Sequence, residues 1–140
     1  MIVYKYDSNC YRCGHDVTYY TYLVFHEYDF DVTFPLDMSM VRRIYAEMPS
    51  HKNNPYFDDT SSTLNYPIKV LGDDEYLDSI ILMSGKFPHI STVKSTQVHK
   101  PYAANHCPHC NAFLGNYHLR EQITDRYLRP KHPMTKHTEL

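Results

Sequence analysis

The chain has 140 residues, 42% of them hydrophobic and 21% charged, with a formal net charge of −2. That length suits a single domain with one core, and the apolar share excludes a disordered chain. The near-neutral charge gives no global attraction to nucleic acid, and no run approaches the ~20 apolar residues of a membrane span.

Met1–Asp7 lacks the basic start and long apolar core of a signal peptide, so the expected compartment is the cytosol. There thiols stay reduced, and paired cysteines serve metals more often than disulfides. The chain holds 14 Tyr and 6 Phe but no Trp. Tyrosine favours strands and carries a polar tip on an apolar ring. The surplus therefore predicts a small sheet-rich core with half-buried tyrosines. The competing reading is an aromatic recognition surface.

In chain order, Ile2–Tyr6 reads as a strand that leads into Cys10-Tyr11-Arg12-Cys13-Gly14. Asp16–Phe25 is dense in β-branched and aromatic residues without Gly or Pro, and predicts a second strand. Val41, Ile44, Tyr45 and Met48 recur at helical spacing, and Pro49 ends the pattern. Residues 50–65 are rich in turn formers and read as a long loop. Tyr66–Leu71 reads as a short strand that Pro67 confines to an edge.

A second helix is predicted over about 73–84. Asp73 and Asp74 cap its positive end, Leu77, Ile80, Ile81 and Ser84 line one face, and Gly85 closes it. His89–Lys100 returns to strand character, and Pro101 breaks it. Ala112–Leu119 reads as a strand leaving the second cysteine pair, with a short helix around 120–128. Residues 129–140 lack periodicity and read as a flexible tail. Asp58, Asp59, Asp73, Asp74, Glu75 and Asp78 face Lys69 alone between positions 58 and 78, which reads as a helix cap and solvated face.

The four cysteines form two Cys-x-x-Cys pairs, Cys10/Cys13 and Cys107/Cys110. Such a turn places two sulfurs on one side of a tight loop, and two turns complete the tetrahedron that Zn²⁺ prefers. Gly14 follows the first pair and can take positive φ. Asn111 follows the second and is the next best residue for that conformation. The reading is one structural Zn²⁺ per chain, bound by Cys10, Cys13, Cys107 and Cys110. Disulfides, a redox pair and an iron–sulfur centre are the rival uses of the same residues. Compact zinc ribbons set their pairs ~15–20 residues apart. Here residues 14–106, 93 positions, intervene. The expected architecture is α+β, an antiparallel sheet with a split zinc ribbon built from N- and C-terminal knuckles and about two helices in the insert. As domains, 1–128 form one unit (ribbon 1–26 plus 99–119, insert 27–98), and 129–140 is the tail. His15, His106 and His109 flank the cysteines and read as neighbours rather than ligands. His26, His51, His89, His99 and His118 are scattered and read as structural.

Residues 10–14 and 102–117 resemble small bacterial or phage-type proteins with a split zinc ribbon. There an early Cys-x-x-Cys-Gly knuckle pairs with a late Tyr-x-x-Asn-x-Cys-Pro-x-Cys segment followed by glycine and an aromatic-rich strand. The matching late residues are Tyr102, Asn105, Cys107, Pro108, Cys110, Gly115 and Tyr117, with Asn111 in place of the common glycine. The resemblance implies a four-cysteine zinc site in a cytosolic protein and no activity.

Four sulfurs leave no ligand position for an activated water, so the zinc is read as structural. The expected function is non-enzymatic binding of a partner, protein ahead of nucleic acid because the chain is not basic. The alternative is a metal-dependent hydrolase assembled from acids and histidines of the insert, such as Asp58, Asp59 and His51. A third reading is self-association through a strand edge or tyrosine face.

Overall fold

The computed structural model describes residues 1–25, 68–94, 101–128 and 134–140. Strand β1 (Ile2–Asn9) pairs antiparallel with β2 (Asp16–Tyr22), in register from Val3↔Tyr22 to Asn9↔Asp16. Val17, Tyr19 and Thr21 alternate inward, as a strand with one buried face requires. Register partners Tyr6 and Tyr19 meet with ring centroids 5.7 Å apart, tilted by 59°. That is the geometry in which cross-strand aromatic pairs attract. Tyr4, Tyr6, Tyr19 and Tyr22 are all buried, so the expected tyrosine core is present. Tyr11, Tyr76 and Tyr117 stay exposed.

A short β3 (Val24–Phe25) pairs with β4 (Ile68–Lys69). The following turn is closed by Asp73, whose carboxylate accepts the Val70 amide at 2.8 Å. Gly72 occupies this turn with φ +99, where a Cβ would come within 3.0 Å of the Asn116 side chain and 3.2 Å of the Ala103 carbonyl. Backbone and neighbours both require glycine there. Helix α1 (Glu75–Ser84) starts at Asp74, whose Oδ1 accepts the amides of Tyr76 at 2.9 Å and Leu77 at 3.1 Å, and ends at Gly85. Both caps stand where the sequence placed them.

Strand β5 (Ile90–Val93) pairs with β6 (Tyr102–His106), which pairs with β7 (Phe113–Leu114), all antiparallel. Helix α2 (Asn116–Leu128) follows. The final strand, β8 (Thr135–Glu139), lies against β1 and gives the order β2-β1-β8. Two three-stranded sheets, a two-stranded one and two helices thus make up the described residues, and the class is α+β.

Three expectations change. Thr135–Glu139 is not a flexible tail but a strand hydrogen-bonded to β1, although its alternation is too polar to show in the sequence. The strand expected over Ala112–Leu119 stops at Leu114, and helix α2 begins at Asn116. Leu119 and Ile123 are buried one helical turn apart, and this four-residue spacing outweighs the β character of Tyr117. The acidic run is not a solvated face throughout. Asp78 is only 4% exposed, and Asp73 pairs with Arg120 and accepts the Asn116 amide at 3.0 Å. The helix read around 41–48, the loop of 50–65 and the strand end beyond residue 94 lie outside the described residues.

Candidate metal centre

Each cysteine pair sits at the turn of a hairpin, the first between β1 and β2 and the second between β6 and β7. The two turns repeat one another atom for atom. Cys10 N–H donates to the His15 carbonyl at 2.9 Å, and Cys107 N–H to the Ala112 carbonyl at 2.8 Å. Gly14 N–H donates to the Cys10 carbonyl and Asn111 N–H to the Cys107 carbonyl, both at 2.9 Å. The Arg12 and His109 amides point at the sulfurs of Cys10 and Cys107 from 3.4 Å. Gly14 has φ 78 and Asn111 φ 62, so the two residues singled out after the pairs adopt the same left-handed conformation. Amides aimed at sulfur favour the thiolate over the thiol.

The hairpins meet so that all four sulfurs lie within 4.8 Å of one another. Cys10 Sγ is 3.6 Å from Cys110 Sγ, and Cys13 Sγ is 3.6 Å from Cys107 Sγ. A regular tetrahedron with Zn–S near 2.3 Å has sulfurs about 3.8 Å apart. The observed separations fit a single ion, whereas a multi-iron cluster spreads its cysteine sulfurs wider. All four cysteines are free, and a disulfide would need about 2.05 Å. Among the described residues the cluster of potential metal ligands consists of these four cysteines alone.

The electrostatics point the same way. The Cys13 backbone amide, more than any other influence, draws the Cys10 thiol down to about 6, with burial opposing it. At Cys13 the His15 amide pulls downward, but burial and the other three sulfurs outweigh it and push the thiol up to about 12. Sulfurs this close hold their protons in turn rather than release them together. A dication removes that conflict, because it makes four adjacent thiolates favourable. Tyr19 lies next to this charge, and its hydroxyl is pushed up to about 12, by burial first and then by Cys10 and Cys107.

The histidines surround the sulfurs without joining them. His15 Nδ1 approaches Cys13 Sγ at 3.3 Å, and its ring stacks on His109 with centroids 4.3 Å apart. His106 is held by Ser91 Oγ at 2.8 Å and the Asn111 carbonyl at 3.3 Å. His118 is exposed beside Glu121. His26, His51 and His99, with Asp58 and Asp59 of the hydrolase reading, lie outside the described residues.

One residue that brings the knuckles together had no local signal beyond its place in the resemblance. Asn105, 2% exposed on β6, accepts the Tyr20 N–H with Oδ1 at 2.9 Å and donates Nδ2 to the Tyr20 carbonyl at 3.0 Å. Its amide thus pairs with the edge of β2 as another strand would. The Tyr11 hydroxyl adds a bond to the Phe113 carbonyl at 3.2 Å, from one knuckle to the strand after the other. Asn105→Ala removes both partners of Tyr20, and each orphaned group costs ~1–3 kcal/mol when shielded from water. The expected loss of about 2–3 kcal/mol would lower the melting temperature of the zinc-loaded protein by roughly 5–10 °C. Asn105→Asp should lose at least as much, because it sets a buried carboxylate oxygen against the Tyr20 carbonyl. A melt of Asn105→Ala within 2 °C of wild type, roughly half a kcal/mol, would show the clasp to be incidental.

The four-cysteine cluster supports the resemblance to split zinc ribbons at the level of the site. No protein family, curated protein or solved structure matches this chain, so its function rests on what the site itself can do.

Proposed function

We propose that this is a non-enzymatic zinc-ribbon protein whose single zinc is structural and whose surface binds a partner protein. The observation that carries the reading is the set of four sulfurs mutually within 4.8 Å, drawn equally from two hairpins. Four thiolates fill a tetrahedral zinc, so no position is left for a water or substrate oxygen. The ion then acts as a clasp between segments far apart in sequence, and its binding energy is folding energy.

Support for partner binding comes from the surface. Tyr11, Tyr117 and Phe113 stand exposed on or beside the knuckles, and aromatic residues of this kind dominate protein interfaces. No helix among the described residues is long and apolar enough to cross a membrane.

Elemental analysis of the purified full chain tests the reading. About one zinc per chain is expected, from the four-thiolate stoichiometry of structural sites. Iron in its place would replace the ion but keep the geometry. A second metal equivalent, or none, would overturn the proposal.

A further inference from the structure

The structure assigns a docking site for a basic peptide segment of a partner protein to the cleft between the first knuckle, the start of α1 and the start of α2. The inference rests on the partner-binding reading above and names the partner's chemistry. The cleft has a volume of about 1300 Å³. That exceeds the ~300–1,000 Å³ of a typical small-molecule pocket and suits a length of polypeptide.

Its exposed aromatic lining comes from the first knuckle and three further elements. Tyr11 of the first knuckle is 68% exposed, Tyr76 of α1 73%, Tyr117 of α2 66%, and Phe113 of β7 39%. Tyr4, Tyr6, Tyr19 and Tyr22 of the sheet are buried, so these rings were not left out for want of a core. Large aromatic rings gathered around one concavity mark a recognition surface.

The charge of the walls selects the occupant. Asp73, Asp74 and Glu75 line the cleft with the buried Asp78 beneath them, Glu75 being the exposed one of the four, and no Lys or Arg among the described residues lines it. Lys69 answers Asp74 and Arg120 answers Asp73. Glu75 stands exposed in the first turn of α1. The positive end of α1 is already satisfied by the Asp74 carboxylate. Arginine and lysine side chains suit such a place. They stack on tyrosine faces and pair with carboxylates at the rim. Single-stranded nucleic acid would find the rings but meet carboxylates where its phosphates need cations.

Fluorescence anisotropy on the zinc-loaded full chain tests this, with a labelled peptide of alternating arginine and glycine as probe. A glutamate–glycine peptide and an oligothymidylate serve as comparators. The arginine peptide should bind, the other two should not, and its affinity should fall several-fold from low to raised salt. Tyr76→Ala and Tyr117→Ala should each weaken binding by about 2- to 5-fold, and Glu75→Lys by at least as much. Met83→Ala, on an exposed residue outside the cleft, should change nothing. Preference for oligothymidylate, equal binding of the glutamate peptide, no binding at all, or variants that bind like wild type would each overturn the assignment. Zinc is counted on the same samples. One zinc without peptide binding sinks the docking site alone. Peptide binding without zinc sinks the structural-zinc reading alone.

Discussion

Replacing Cys10 or Cys107 by serine is expected to release the zinc and, with it, the folded state. Structural zinc contributes on the order of 10 kcal/mol or more in four-ligand sites, while whole domains are stable by only about 5–15 kcal/mol. The loop that the clasp closes, residues 14–106, has 93 positions and carries a closure cost of roughly 4 kcal/mol. Without the ion, that cost falls on Asn105, the Tyr11–Phe113 bond and the packing around them. A strong chelator should therefore lower the melting temperature by tens of degrees, on the order of the stability itself, and added zinc should restore it. Acid should act in the same direction, because protons compete with the metal for sulfur and binding releases them. A serine variant that fails to fold cannot report its own ligand set. Cobalt-loaded wild type can, since thiolate-to-metal bands scale with the number of sulfurs bound. Bands of a two- or three-thiolate centre, or a melt indifferent to chelator, would contradict the four-sulfur clasp.

The second large effect is expected at Asp78. Its Oδ1 accepts the Tyr22 hydroxyl at 2.8 Å and the Gly72 amide at 3.0 Å, and its Oδ2 the Ala103 amide at 3.3 Å. The Asp74 amide in turn donates to the Tyr22 oxygen at 3.3 Å. One side chain of α1 thus ties together β2, the turn before the helix and β6, the strand that delivers Cys107. Asp78→Ala leaves three donors without an acceptor, offset by relief of a buried carboxylate, for a net loss of about 2–4 kcal/mol.

The pH dependence of this latch has a definite sign. Burial raises the Asp78 carboxyl above its ordinary value, against the pull of Gly72, Tyr22 and Ala103. Between the unfolded value near 4 and the raised folded one, the native state holds more proton than the unfolded state. This group's contribution to stability therefore falls as pH rises through that window and is constant above it. Asp78→Ala should abolish that part of the slope as well as lower the melt by roughly 10 °C at neutral pH. Melting curves of both proteins from pH 4 upward decide the matter. An unchanged slope or a melt within 2 °C of wild type, roughly half a kcal/mol, would remove Asp78 from its assigned role.

Much of the site was legible because its determinants are local. The Cys-x-x-Cys turns, the positive φ of Gly14 and Asn111, and the two caps of α1 each involve residues within about five positions. Propensity and spacing carry such information directly. The register of β1 with β2 follows from one short hairpin and an alternating pattern. Asp78 was misread because an aspartate near a helix N-terminus looks like a solvated charge, and its partners Tyr22, 56 positions away, and Ala103, 25 away, meet it only in the fold. β8 was misread because Thr135–Glu139 is too polar to announce a strand that one edge of β1 recruits.

By itself, then, the sequence singled out the four cysteines that cluster, the conformation of each knuckle, the tyrosine-rich sheet and the helix that starts at Asp74. Tertiary structure alone decided that the knuckles meet, that Asn105 bridges to Tyr20 across 85 positions, and that the exposed rings share one acidic cleft. The physical reason is the range of the forces involved. Turns and caps are settled by neighbours along the chain, whereas burial and side-chain pairing between strands depend on which distant surfaces come together, and no local period records that.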